Sequence, residues 1–242
     1  MTILLYQTDS YLKEFDAEVI AVNPDLRAVA LNQTAFYPGG GGQPADEGTL
    51  EIRSESFPIT GFKKQDGALW HLLGGDSTLP EPGEPAHGIL NWDRRYRLMR
   101  THTAMHILCG VAFHQYGAFS TGNSMEPLSA RMDLEFQTMH GDLVADIETA
   151  INKEIAAEHP LNVRILPRAE AFAIPDLIRT KINLLPEGIP EVRVVEIEGL
   201  DLQADGGTHV ANTREVGRFR VTDYKSKGAI NKRIYFAVED AA

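Results

Sequence analysis

Residues 1–92 are cut into short apolar runs by turn-forming clusters, and this punctuation constrains the fold more than any other feature of the chain. The runs are ILLY near the start, AEVIAV at 17–22, AVAL at 28–31, TLEIR at 49–53 and ALWHLL at 68–73. Between them lie NPDL, FYPGGGGQPADEG, LLGGD and LPEPGEP, whose Gly, Pro and Asp residues favour turns and interrupt helices. Many short strands with no long helix point to a small β-barrel. The Pro-rich stretch from Leu79 to His87 is expected to be the linker that leaves it.

The pattern changes at residue 93. DRRYRLMRTHTAMHILCGVAFHQYG (93–117) carries a candidate N-cap at Asp93 and no proline before Gly117, so it reads as a long helix. In LVADIETAINKEIAAE (143–158), Leu143, Ile147, Ile151 and Ile155 recur at spacing four, one apolar helix face, and Pro160 stops it. The segments at 130–136, 161–166, 192–197, 218–224 and 233–238 read as strands. The expectation is an α+β fold: a β-barrel domain over 1–92, then an α+β domain over 93–242 with helices against a largely antiparallel sheet.

Composition narrows the function classes. Of 242 residues, 23 are basic and 34 acidic, a net charge of −11, which argues against non-specific nucleic-acid binding as the main task. The charge is uneven: residues 1–92 hold 5 basic and 13 acidic residues, and 93–242 hold 18 and 21. The single cysteine, Cys109, excludes a disulfide framework and a multi-cysteine zinc site. It points to a reducing, cytoplasmic setting. No apolar run approaches the ~18 residues of a membrane span, and the acidic N-terminal stretch does not resemble a signal peptide.

His102 and His106 stand four apart in the long predicted helix, so both imidazoles lie on one face, one turn apart. That spacing suits a shared metal and suits equally two ordinary helix histidines. A second segment, GLDLQADGGTHV (199–210), places Asp205 and His209 four apart in a compact turn after a strand. A four-ligand site needs such a second contribution, and a plain turn has the same composition.

THTAMH followed some hundred residues later by GGTHV resembles the editing domain of alanyl-tRNA synthetase and the free-standing AlaX proteins that share it. SKGAINKRIYFAV (226–238) resembles that family's closing strand. FYPGGGGQPADEGTL (36–50) resembles the glycine motif of the longer AlaX type, which carries a small barrel before the editing domain. The resemblance runs over nearly the whole chain. It implies one Zn²⁺ per chain, held by His102, His106 and His209, with Asp205 where the family keeps a cysteine. Asp205 then either ligates the metal through oxygen, orients a ligand histidine, or leaves a fourth place to water. A hard carboxylate in place of a soft thiolate weakens the preference for zinc. Cys109 lies three residues after His106 and is assigned a buried apolar role.

The resemblance also implies an activity: trans-acting, ATP-independent hydrolysis of the ester joining a wrong amino acid, serine or else glycine, to the acceptor end of tRNA for alanine. An alanine pocket rejects a hydroxyl-bearing isostere poorly, so a second site must read the hydroxyl. Thr121 is the expected reader, with Ser120 as the fallback. No catalytic side chain is assigned; a metal-bound or metal-adjacent water is the expected nucleophile. Gly39, Gly40, Gly41, Gly42 and Gln43 are followed by Pro44 rather than by the Lys-Ser/Thr of a phosphate loop. They are expected to shape the pocket or admit the tRNA end, with no nucleotide cofactor. From Arg214 to Arg233 there are seven basic and two acidic residues. Lys225, Lys227, Lys232 and Arg233 are the expected RNA contacts, and a solvated strand face is the plainer alternative. Two other readings stay open: a metal hydrolase acting on another aminoacyl-tRNA or a small ester, and a non-catalytic RNA-binding module with a degenerate metal site. Oligomeric state is not readable.

Overall fold

Eight strands fill the first part of the chain: β1 (Ile3–Leu4), β2 (Glu14–Asn23), β3 (Ala28–Leu31), β4 (Gln33–Thr34), β5 (Gly48–Ile52), β6 (Glu55–Gln65), β7 (Ala68–Leu73) and β8 (Pro85–Leu90). The structure is a computed structural model that describes residues 2–178 and 188–240. Six of these strands close into a barrel in the order β2-β3-β7-β6-β5-β8, every neighbouring pair antiparallel. Alternate residues point inward, and Leu31, Phe36, Leu50, Ile52 and Phe57 fill the interior with almost no exposure. Closure removes the free sheet edges that so short a set of strands would otherwise present.

Two of the six barrel strands escape a reading of local sequence. The stretch expected as a linker runs into β8, which pairs with both β2 and β5 and closes the barrel. Pro85 hides it, yet proline is tolerated as the first residue of a strand. Pro58 and Gly61 conceal β6 in the same way; the ladder to β7 absorbs the disturbance as a register shift between Ile59 and Gly61.

The chain divides into two compact units. One is Met1–Gly40 with Pro44–Tyr96; the other is Gly41–Gln43 with Arg97–Ala242. The first holds a buried ion pair. Asp46 accepts Nε of Arg95 at 2.9 and 3.1 Å, its Nη2, and the Tyr37 N–H at 2.6 Å. Arg95 also donates to the carbonyls of Ser10 (3.0 Å) and Ala35 (2.6 Å).

The boundary falls within α1 (Trp92–Tyr116). Its N-cap is Asn91 rather than Asp93: the Asn91 Oδ1 accepts the Arg94 N–H at 3.3 Å, which places Asp93 in the first turn. The second unit continues with β9 (Ser120–Glu126), β10 (Ser129–Glu135), α2 (Gly141–Ala156), β11 (Leu161–Pro167), α3 (Arg168–Phe172), β12 (Glu191–Ile197), β13 (Asp201–Ala204), β14 (Arg218–Ser226) and β15 (Asn231–Glu239). Its main sheet is antiparallel, in the order β14-β15-β10-β9. A second sheet runs β11-β12-β13. Helix α2 buries Val144, Ile147, Ile151 and Ile155, so Val144 takes the place expected of Leu143. Asn152 ties α2 to β14, bonding both the N–H and the carbonyl of Phe219.

Residues 98–112 of α1 are buried without interruption. A helix surrounded on all sides needs no polar face, which is why its apolar residues show no 3.6-residue period. Its buried polar side chains are satisfied one by one. Thr101 Oγ1 donates to the Arg97 carbonyl and accepts the Leu128 N–H, while Arg100 donates to the carbonyls of Val216 and Glu239. No helix among the described residues is long and apolar enough to cross a membrane.

Candidate metal centre and adjoining cavity

Three histidines and one aspartate converge inside the second unit. His102 and His106 project from one face of α1, and His209 and Asp205 come from the turn after β13. One donor atom from each of the four lies within 4.8 Å of the others. The rings touch: centroids are 4.2 Å apart for His102 and His209, 4.7 Å for His106 and His209, and 5.1 Å for His102 and His106.

Each imidazole is anchored through Nδ1. That of His102 is 3.0 Å from Oε1 of Gln43, that of His106 3.0 Å from Oδ2 of Asp201, and that of His209 3.2 Å from Oγ1 of Thr103. The Nε2 atoms are therefore the ones left for the centre of the cluster. Nε2 of His209 lies 3.0 Å from Asp205 Oδ2, and Nε2 of His102 lies 3.6 Å from Asp205 Oδ1. Asp205 is itself fixed by the Gly207 N–H at 2.7 Å, and Arg193 Nη1 donates to its backbone carbonyl at 3.0 Å. The turn needs glycine at 207, because a Cβ there would collide with the His102 ring and with Gln43 Oε1.

The protonation states suit a cation. Burial pushes His102 well below its ordinary pKa, and it pushes His209 down to about 4. Burial would also lower His106, but the hydrogen bond to Asp201 and its charge outweigh that and hold it above the ordinary value. For Asp205, burial opposes ionisation; the surrounding imidazoles of His102 and His209 overcome it and keep the carboxyl well below the usual carboxylate range. Neutral His102 and His209 beside an ionised carboxylate are donors that zinc accepts, with ligand histidines oriented through their second nitrogen; His106 would have to release its proton to join them.

A cavity of about 230 Å³ adjoins the cluster, walled by Met105, Cys109, Met132 and Leu177 on its apolar side and by Gly41, Ser120 and Asn123 on its polar side. Ser120 is buried, and its hydroxyl has no hydrogen-bond partner. Thr121, the expected reader of a substrate hydroxyl, is exposed and donates to Asn231 Oδ1 at 2.9 Å, whereas Ser120 lines the cavity. The reason is a β-bulge. Opposite β10, Leu134 pairs with Ser120 and Asp133 with Gly122, which leaves Thr121 as the extra residue.

The glycine segment divides. Gly39 and Gly40 belong to the barrel unit, whereas Gly41 lines the cavity. Gly42 has φ +92°, and a Cβ on it would strike the Asn123 side chain. Among the basic residues expected to meet RNA, Lys225 and Lys227 are exposed. Lys232 is not: its Nζ is buried against the carbonyls of Gly228 (2.7 Å) and Ala229 (3.0 Å). Arg233 is held by both oxygens of Asp133 at 2.6 and 2.8 Å. Lys232 thus ties the β14–β15 turn, and Arg233 bridges β15 to β10. Asp201, Thr103 and Arg193 went unrecognised in the sequence, where nothing but their types distinguishes them from ordinary strand and helix residues.

Comparison with known proteins agrees with this layout. Residues 192–235 match the family described as the threonyl and alanyl tRNA synthetase second additional domain, and residues 7–94 match class II (A) tRNA synthetases. The chain is 38% identical over 241 residues to the alanyl-tRNA editing protein AlaX-M of Saccharolobus solfataricus, covering 99% of this chain and 100% of that one. Against AlaX-M of Methanosarcina acetivorans, identity is 39% over 247 residues, with 99% and 100% covered. It is also 35% identical over 246 residues to the alanine–tRNA ligase of Thermococcus kodakarensis, covering all of this chain and 26% of the ligase.

Proposed function

The chain belongs to the AlaX-M family of alanyl-tRNA editing proteins, and from that premise we propose that it clears serine, and secondarily glycine, from mischarged tRNA for alanine at a zinc-containing pocket. It is an aminoacyl-tRNA hydrolase acting in trans. The observation that carries the zinc reading is the convergence of His102, His106, His209 and Asp205 beside a cavity of amino-acid size. These four side chains would hold the ion, Asp205 standing as an oxygen ligand that offsets part of its charge. When bound, zinc supplies Lewis-acid polarisation.

The chain's own residues supply selection. The Ser120 hydroxyl, buried and unpaired, gains a partner when a seryl group enters and gains none from alanine. A buried polar group left unmatched costs about 1–3 kcal/mol, enough for a useful preference. The apolar wall of Met105, Met132 and Leu177 excludes water from the rest of the aminoacyl group. Gly41 lets backbone approach the ligand closely, and the exposed Lys227 offers a charge to phosphates of the acceptor end, with Lys225 able to join only by leaving its 2.9 Å pair with Asp223.

The test combines metal analysis with deacylation. Purified protein is expected to carry one zinc per chain and to hydrolyse Ser-tRNA(Ala) while sparing Ala-tRNA(Ala), and His102→Ala should lose both zinc and activity. Protein with no bound zinc after zinc loading, and no hydrolysis of Ser-tRNA(Ala), would defeat this reading.

A further inference from the structure

We propose that Gln43 is a positioning residue that fixes the tautomer of His102, placing the proton on Nδ1 and leaving the Nε2 lone pair turned toward Asp205. The purpose of this device rests on the metal reading above; its content rests on hydrogen-bond geometry alone.

Gln43 is 2% exposed, and it belongs to the same compact unit as the histidines. Two contacts with a single residue determine which way its carboxamide faces. The backbone N–H of Thr208 lies 3.0 Å from one end, and an N–H can only donate, so that end is the oxygen. The other end is then the NH₂, which donates to Thr208 Oγ1 at 2.8 Å. Reversing the amide would set its NH₂ against the Thr208 N–H.

The same oxygen lies 3.0 Å from His102 Nδ1. An oxygen that only accepts requires the ring nitrogen to donate, so Nδ1 carries the hydrogen. Neutral imidazole has one N–H, and Nε2 is left bare. Asp201 performs the equivalent task for His106 with a carboxylate. Gln43 does it without adding a charge beside a cluster that already holds one ionised carboxylate. Gly207 permits the approach, since any side chain there would displace both His102 and Gln43. The glutamine after the glycine run therefore acts on a histidine, a role different from the phosphate cradle that a glycine-rich loop first suggests.

The experiment follows the ring nitrogens directly. In full-length, chelator-treated protein carrying ¹⁵N-histidine, long-range ¹H–¹⁵N spectra near pH 7.5 should report His102 as Nδ1–H, assigned by peak loss in His102→Ala. Gln43→Leu removes the acceptor; His102 should shift toward Nε2–H, and zinc affinity measured by chelator competition should fall about 10–100-fold. Gln43→Glu keeps an acceptor oxygen and should restore Nδ1–H, which a merely space-filling role would not require. A wild-type His102 found as Nε2–H overturns the proposal, as does a Gln43→Leu protein with unchanged tautomer and zinc affinity. Should Gln43→Leu fail to fold, the wild-type tautomer and its retention in Gln43→Glu decide. Wild-type protein with the expected tautomer but no affinity for zinc would sustain the proposal and sink the metal reading.

Discussion

Each unit of the molecule buries a polar cluster, and the two are built on opposite plans. In the barrel unit, Asp46 and Arg95 satisfy one another, and their remaining capacity is used by Tyr37, Ser10 and Ala35. In the second unit, His102, His106 and His209 each engage one nitrogen outward and leave the other facing a shared carboxylate. Both clusters are buried and both contain charge. A saturated cluster serves the fold; a cluster with inward atoms held in common is poised for something the chain does not supply. Burial and charge alone therefore do not distinguish a structural polar core from a site. The direction of the unused donors and acceptors does.

This contrast breaks most visibly at Asp46. Asp46→Ala leaves the fully buried Arg95 cation without its partner, and urea unfolding should show a loss of about 3–5 kcal/mol. Zinc stoichiometry of the folded protein should not change. A variant as stable as the parent, or one that loses zinc while folded, would erase the distinction between the clusters.

His71 sharpens it through pH. This residue sits fully buried in the barrel beside Thr34, its Nε2 2.9 Å from the hydroxyl, and burial lowers its pKa to about 4. Between that value and the ordinary 6.5 the unfolded chain binds a proton that the folded barrel refuses. Its contribution is thus intact above about pH 6.5 and lost as pH falls toward 4, by about 3 kcal/mol at ~1.4 kcal/mol per pKa unit. His71→Gln should flatten that part of the stability profile relative to wild type. Equal pH dependence of the two proteins would remove His71 as its cause.

Ser120 gives the smallest effect on stability and a large one on selection. Its hydroxyl has no partner to lose, so Ser120→Ala should unfold within about 0.5 kcal/mol of wild type. Hydrolysis of Ser-tRNA(Ala) should nevertheless fall about 10–100-fold in kcat/KM, the range expected for a lost buried hydrogen bond of about 1.4–2.8 kcal/mol. Unaltered hydrolysis would show that the orphaned hydroxyl does not read the substrate.

Much of the architecture was legible because it is local. Turn clusters announced the barrel strands, the proline-free run announced α1, and histidines four apart on a helix had to share a face. Strands β6 and β8 were hidden because Pro58, Gly61 and Pro85 carry a local signal that the barrel's hydrogen-bond closure overrides. The basic run at 214–233 was visible as charge. Whether each charge is free was not, since Lys232 and Arg233 are consumed by carbonyls and a carboxylate that lie near them only in the folded hairpin and sheet.

The sequence by itself supplied the candidate groups: two histidines on one helix, Asp205 with a third histidine in a glycine turn, and, through the family resemblance, a polar residue at 120 or 121. Short spacing sets His102 beside His106 and Asp205 near His209, because helix periodicity and turn chemistry act over a few residues; it was the resemblance that joined the two pairs into one site. Only the tertiary structure decided which atoms they use. The bulge opposite Leu134 turned Ser120 inward and Thr121 out, and Gln43, some sixty residues before His102, chose which nitrogen of that ring stays bare. Those choices depend on hydrogen bonds between segments distant along the chain, whose partners are defined only once the backbone has brought them together.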